Sequence, residues 1–217
     1  VNDAPTLDDL ADASVEEDGV YTLELSANDI DGDALTFEAS VDGNGSASID
    51  GSTLTITPAA DFNGDIVVSV VASDGEASGS GTFTLTVTPV NDAPVVDDID
   101  SQTINEDTSL EMPIFASDID GDVLTLSASV DGNGSASVSE TTLTVIPDEH
   151  YNGDILVTVT ADDGNLTHST NFTLTIKPVN DAPTLDDLAD ASVEEDGVYT
   201  LELSANDIDG DALTFEA

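Results

Sequence analysis

Cysteine and tryptophan are absent from this 217-residue chain, and Lys177 is its one Lys or Arg. Without cysteine there are no disulfides, no thiol chemistry and no thiolate metal sites. With a single cation the chain has nothing to set against phosphate groups. This argues against nucleic acid as a partner and against an anionic membrane surface. No apolar run approaches the roughly 20 residues of a spanning helix, so membrane insertion is not expected, and no signal peptide is visible. Against that one cation stand 47 Asp and Glu, giving a formal net charge of −46. Such a charge opposes compaction unless something neutralises it, and divalent cations or high external salt are the two candidates. High charge with few aromatics is also a mark of disorder. Here, however, the hydrophobic fraction is 39% and it is laid out in strand-like alternation, which argues for folding.

What the chain does have is repetition. Val-Asn-Asp-Ala-Pro occurs at Val1–Pro5, Val90–Pro94 and Val179–Pro183, a period of 89 residues, and Val179–Ala217 is identical to Val1–Ala39. A period this long means tandem domains. The chain starts with Val and its third copy stops within the period, so it reads as a piece of a longer array. Prolines 89, 94, 178 and 183 bracket the pentapeptide and stiffen it as a linker. We place repeats at residues 1–89, 90–178 and 179–217, the last one truncated. It is expected to lack its closing strands and to leave open edges and an uncovered core face.

Within each period apolar residues alternate with period two: Tyr21/Leu23/Leu25, Leu35/Phe37/Ala39, Leu54/Ile56, Val68/Val70/Ala72 and Phe83/Leu85/Val87 in the first copy. The second copy repeats this with Leu110/Met112/Ile114 through Phe172/Leu174/Ile176. This is the half-buried strand signal. Asp-Gly-Asn-Gly at Asp42–Gly45 and Asp131–Gly134, with Asn-Gly and Asp-Gly pairs elsewhere, supplies the positive φ that tight turns require. A further strand near Ala13–Val15 brings each period to about seven short strands, the count for an immunoglobulin-like sandwich. The expected fold class is therefore all-β, with tandem Greek-key sandwiches. His150 and His168 each occur in one copy only and read as surface residues.

The acids gather at fixed places in the period. Glu16-Glu17-Asp18 is matched by Asn105-Glu106-Asp107, and Asp29-Ile-Asp31-Gly-Asp33 by the runs beginning at Asp118 and Asp207. Asp74 is matched by Asp163, and the linker pair Asn2-Asp3 by Asn91-Asp92 and Asn180-Asp181. The first two copies differ at many other positions yet keep Glu17, Asp18, Asp29, Asp31, Asp33, Asp74 and the linker pair. Closely set carboxylates repel one another unless a cation sits among them, and a flexible set of six to eight oxygens suits Ca²⁺. The bland alternative is a solvated acidic surface with turn-forming Asp. An EF-hand is excluded, because that loop needs Gly at position six and Glu at position twelve. Here Ala34 or Val123 and Ser40 or Ser129 stand there. The glycine-rich nonapeptide of calcium-binding β-rolls is absent as well.

Four motifs in order, Val15–Asp18, Ala27–Asp33, Ala72–Gly75 and then Val-Asn-Asp-Ala-Pro, resemble the cadherin-type repeat in the bacterial form found in very long secreted adhesins of the RTX type. The resemblance covers the whole chain. It implies Ca²⁺ shared between an early Glu of one domain, the linker and an Asp-x-Asp of the next domain. Carried over, the first junction would use Glu17, Asn91, Asp92, Asp118, Asp120 and Asp163. The second would use Glu106, Asn180, Asp181, Asp207 and Asp209, short of its last ligand. Asn2, Asp3, Asp29, Asp31 and Asp74 would form half a site. Two features depart from the animal pattern. The linker lacks its leading acid, with Thr88 and Pro89 there. The mid-domain Asp-x-Glu has no clear equivalent, with Asp61 and Asp65 as candidates and His150 opposite Asp61 in the second copy.

The leading functional expectation is a structural one: extender repeats of a calcium-dependent bacterial surface adhesin, secreted and extracellular. The partners are neighbouring repeats, with glycans or another cell surface engaged through other domains. The alternative is a calcium-dependent carbohydrate-binding module, although a sugar site usually shows exposed aromatics. Phe62 and Tyr151 beside Asn-Gly-Asp read instead as core anchors. An enzyme is not expected, because a repeated array is a poor place for one catalytic site.

Overall fold

A computed structural model describes residues 1–216; Ala217, the end of the third repeat expected from the sequence, lies outside the described residues. No helix occurs among the described residues. The chain divides into two compact units, Val1–Asp92 and Ala93–Ala217.

The first unit begins with β1 (Thr6–Leu7), β2 (Ala13–Glu16), β3 (Tyr21–Glu24), β4 (Ala27–Asn28) and β5 (Thr36–Val41). It continues with β6 (Gly45–Asp50), β7 (Thr53–Pro58), β8 (Gly64–Ser73) and β9 (Ser78–Thr88). Seven of these strands form two sheets, β2-β9-β8-β5 and β3-β7-β6. The remaining two, β1 and β4, pair with each other. The sheet pairing is antiparallel except for β2, which runs parallel to β9. Strand β3 skips β4, β5 and β6 to pair with β7, and this crossing makes the Greek key rather than a meander.

Alternation decides which side chains are buried. Ile66, Val68, Val70 and Ala72 of β8 are fully buried, and so are Leu54 and Ile56 of β7 facing them. Phe83, Leu85 and Val87 of β9 complete the cluster. Each of these side chains larger than Ala contributes about 1.5–3 kcal/mol by leaving water. Phe62 and, in the second unit, Tyr151 pack against their cores. The Tyr151 hydroxyl donates to the carbonyl of Asp154 at 3.0 Å, which satisfies its polar end. At the β5–β6 turn Asn44 takes φ 57° after Gly43 at 138°, the left-handed geometry that the Asp-Gly-Asn-Gly motif predicts.

The second unit repeats the plan with β10 (Val95–Val96), β11 (Gln102–Asn105), β12 (Leu110–Pro113), β13 (Ala116–Ser117) and β14 (Thr125–Val130). Then follow β15 (Gly134–Ser139), β16 (Thr142–Pro147), β17 (Gly153–Asp162) and β18 (Thr167–Lys177). Its sheets are β11-β18-β17-β14 and β12-β16-β15, with β10 and β13 paired separately. Among the described residues the chain then adds only β19 (Thr184–Leu185) and β20 (Ala205–Asn206), which pair with each other.

The strands β6 and β15 were not legible as strands. Their apolar payload is only Ala47 and Ile49, or Ala136 and Val138, set among Ser. They are ordered by six cross-strand pairs each with β7 and β16. His168 is exposed, but its Nδ1 accepts the Val96 amide at 3.0 Å and so ties β10 to β18.

Candidate metal centre

The end of the second sandwich and the segment after it carry a built acidic site. Glu106 follows β11, and its backbone amide donates to the Lys177 carbonyl at 2.9 Å, continuing the β11–β18 pairing for one residue. That contact turns the Glu106 side chain inward, where the residue is 3% exposed. One carboxylate oxygen accepts the Val179 amide. Asp181 donates its own amide to Asp209 Oδ2 at 2.6 Å. Glu106, Asp181 and Asp209 each bring a carboxylate oxygen within 4.8 Å of the others. Asn180 is folded over the linker, its amide group on the Asp181 carbonyl at 2.9 Å. Asp207 holds the adjacent loop by accepting the Asp211 amide at 3.0 Å.

The first unit builds the same pieces by the same local chemistry. Glu17 donates its amide to the Thr88 carbonyl at 2.9 Å and is 5% exposed. Its carboxylate accepts the Val90 amide. The Asn91 side chain donates to the Asp92 carbonyl at 2.9 Å. At the other end of this unit the Asp3 amide donates to Asp31 Oδ2 at 2.8 Å, and Asn2 donates to Asp74 Oδ2 at 2.9 Å. Asp29 Oδ1 accepts the amides of Asp31, Gly32 and Asp33. The amide of Ala77, then Asn2 and the amide of Glu76, hold the Asp74 carboxyl below its usual 3.8.

In the second unit Asp118 plays the part of Asp29, with Oδ1 accepting the amides of Asp120 and Asp122 at 2.9 and 3.3 Å. Asp118, Asp120 and Asp122 gather their oxygens within 4.8 Å of one another. Asp163 accepts the amides of Asn165 and Leu166 at 2.6 and 2.7 Å, as Asp74 does in the first copy.

These residues fit an oxygen-seeking divalent cation. Glu17 and Glu106 are buried carboxylates, and the ion pairs that His150 makes involve neither of them. A buried charge without a counter-charge is costly. The second oxygens of Asp29 and Asp118 are also buried and make no hydrogen bond. An orphaned buried carboxylate oxygen calls for an explanation, and an ion is one.

The sequence left two candidates for the mid-domain acid, and the structure separates them. Asp65 lies on β8 and accepts the Thr86 hydroxyl at 2.8 Å, as Asp154 accepts that of Thr175 at 2.7 Å. Asp61 instead gathers with Asp18 and Asp92. The residue that sequence reasoning passed over is His150. It is partly buried, with Nδ1 at 3.1 Å from Asp181 Oδ2 and 3.5 Å from Asp107 Oδ2. Partial burial pushes the imidazole down, but Asp107, Asp181 and Glu149 together outweigh it and raise its pKa above 6.5. Its alignment with Asp61 was the available signal.

A family model described as "Bacterial Ig domain" matches residues 2–88 and again 91–176, so the chain belongs to that family, in two tandem copies. Chitinase A of Pseudoalteromonas piscicida is 26% identical over 193 residues, spanning 85% of this chain. The chain covers 23% of that protein's length. Among solved structures, human protocadherin-24 EC1-2 aligns over 83% of this chain and 100% of its own at 18% identity, with a TM-score of 0.51. That likeness shows a shared fold. An endo-fucoidan hydrolase of glycoside hydrolase family 107 aligns over 81% of this chain and 29% of its own, at 19% identity and a TM-score of 0.37.

Proposed function

We propose that this chain is a run of extender repeats from a bacterial surface adhesin, outside the cell, in which Ca²⁺ at the repeat junctions stiffens the array. We set the repeat boundaries at residues 1–89, 90–178 and 179–217. The observation that carries the reading is Glu106: a buried carboxylate with no cationic side chain, converging with Asp181 and Asp209. Asn180 and Asp207, expected in the same set, flank Asp181 and Asp209 in the chain. By the 89-residue repeat the same role falls to Glu17, Asn91, Asp92, Asp118 and Asp120, with Asp163. Asn2, Asp3, Asp29, Asp31 and Asp74 are the corresponding partial set of the first copy.

When bound, Ca²⁺ supplies the positive charge and the demand for six to eight oxygens that such a carboxylate group lacks. The residues do the rest. Glu106 and Val179 fix the start of the linker against its own sandwich. The Asp181 amide on Asp209 fixes the linker against the following Asp-x-Asp loop. Because the linker is tied on both sides by carboxylates that repel one another, its stiffness depends on neutralising them. Folding and metal binding are therefore coupled. The role is non-catalytic, and adhesion to a glycan or another cell surface belongs to other parts of the full protein.

Thermal unfolding of the full chain in excess Ca²⁺ and in chelator, at matched ionic strength, tests this. Ca²⁺ at a hundred times its Kd stabilises by about 2.7 kcal/mol, a rise in midpoint of about 10 °C or more for domains of this size. Asp118→Ala with Asp120→Ala shrinks that rise. Equal midpoints in the two buffers would sink the reading.

A second reading, calcium-dependent carbohydrate binding, is favoured by one local feature. Phe115 is 63% exposed and borders a cleft of about 460 Å³ that also holds Asp118, Asp122 and Glu140. An exposed ring beside polar groups suits stacking against a sugar, and part of a chitinase is similar to this chain. Chito-oligosaccharide titration in Ca²⁺ checks it: binding lost in Phe115→Ala supports it, and no binding by the wild type removes it.

A further inference from the structure

The two copies differ at one place where a difference changes coordination chemistry. In the first, Asp18, Asp61 and Asp92 bring three oxygens within 4.8 Å of one another. In the second, the residues 89 positions later are Asp107, His150 and Asp181, and they converge to the same limit with an imidazole nitrogen in place of one oxygen. The turn that presents the third ligand is the same in both. Asp61 and His150 sit at φ 55° and 57°, and each donates its backbone amide to the Oδ1 of Asp18 or Asp107, at 3.4 and 3.0 Å.

We propose that Asp107, His150 and Asp181 form a site for a borderline divalent transition metal, with Zn²⁺ as the representative ion, distinct in selectivity from the all-oxygen site of the first copy. The inference rests in part on the calcium reading, since Asp181 is shared with Glu106 and Asp209, but its selectivity comes from His150 alone.

Three observations carry it. First, the separations fit. Ligands about 2.1 Å from a metal stand about 3.0–3.4 Å apart around a tetrahedral or octahedral centre. The Nδ1 of His150 lies 3.1 Å from Asp181 Oδ2 and 3.5 Å from Asp107 Oδ2. Second, imidazole suits Zn²⁺, Ni²⁺ and Cu²⁺, whereas Ca²⁺ and Mg²⁺ take oxygen. Third, the imidazole has an outer carboxylate. Nε2 lies 3.5 Å from Glu149 Oε1, and a metal-bound His commonly turns its other N–H toward such a group. The first copy has Ala60 at that position, so the nitrogen ligand and the carboxylate behind it occur together in one copy and are both missing from the other. Without metal, Nδ1–H faces Asp181. With metal on Nδ1 the remaining proton sits on Nε2, facing Glu149.

The test is calorimetric titration of Zn²⁺ into the full chain in saturating Ca²⁺, with the His150 ring followed by NMR. One Zn²⁺ binds above the weak background of surface carboxylates, and the His150 resonances shift. His150→Ala weakens that site at least tenfold, as does His150→Asp, which reproduces the first copy's ligand type. Glu149→Ala weakens it by about ten-fold or more. His168→Ala leaves it unchanged. Unaltered Zn²⁺ affinity in His150→Ala, or loss confined to His168→Ala, overturns the proposal. The Ca²⁺-dependent midpoint of His150→Ala is measured alongside. If Ca²⁺ has no effect on any variant while Zn²⁺ still binds through His150, the calcium reading has failed and this one stands.

Discussion

Residues 1–38 and 179–216 have the same sequence and different structures. In the first copy Ala13–Glu16 and Tyr21–Glu24 are strands; in the third the matching residues, 191–194 and 199–202, are not. Leu25 is 5% exposed and its counterpart Leu203 is 40% exposed. What survives in both is local. Thr6–Leu7 pairs with Ala27–Asn28, and Thr184–Leu185 pairs with Ala205–Asn206 in the same register. The Asp3–Asp31 hydrogen bond has its twin in Asp181–Asp209. The difference has a plain cause. Strand β2 needs β9, and β3 needs β7, and the described residues of the third copy offer neither partner. A strand's hydrogen bonds are met only by its neighbour, whereas a turn or a short pairing closes within its own segment. The Asp-x-Asp-Gly-Asp loop is therefore a local object, and the sandwich is not.

The largest expected effect comes from the core side of that comparison. Leu25→Ala costs about 2–5 kcal/mol as a buried Leu deletion, while Leu203→Ala stays within about 0.5 kcal/mol as a surface change. Denaturant unfolding of the two variants measures both. Extending the chain with the sequence of residues 40–88 after the third copy brings Leu203→Ala up to the cost of Leu25→Ala. If it stays cheap in the extended chain, missing partners are not the cause of the difference.

A smaller effect separates Glu17 from Glu195, identical in sequence context but buried in one copy and exposed in the other. Glu17→Gln keeps an acceptor for the Val90 amide and removes the charge. It destabilises the fold in Ca²⁺ and stabilises it in chelator, by about 1–3 kcal/mol either way, whereas Glu195→Gln changes neither. A shift of the same sign in both buffers contradicts a cation at Glu17.

The smallest concerns the Asp61 and His150 positions without metal. Partial burial lowers the His150 pKa, but Asp107, Asp181 and Glu149 outweigh it and raise it. A raised folded pKa adds stability that is fully present below the unfolded value of 6.5 and is lost as pH rises through the folded one. In chelator the His150 NMR titration therefore has its midpoint above 6.5, and His150→Asn removes that part of the pH dependence of unfolding. A midpoint at or below 6.5 contradicts the geometry.

Much of the protein could be read from its residues. The 89-residue period, the alternation of Val68/Val70/Ala72 and Phe83/Leu85/Val87, and the Asp-Gly-Asn-Gly turns determined an all-β tandem sandwich. They suffice because a two-residue period and a positive-φ turn are properties of the local chain. The acid clusters were legible too, since Asp29-Ile-Asp31-Gly-Asp33 folds onto its own amides. Tertiary structure alone decided the rest. It ordered β6, whose Ala47 and Ile49 gave little signal without β7 beside them. It buried Glu17 and Glu106 by continuing a parallel pairing to β9 and β18, and it left Glu195, the same residue in the same sequence, in water. It set Asp61 beside Asp18 and Asp92 and turned Asp65 to Thr86 across the sheet. And it carried His150 to the linker, where a residue that looked like an isolated surface histidine meets two carboxylates far from it in the chain. Contacts of that kind depend on which segments the fold brings together, which no single stretch of sequence contains.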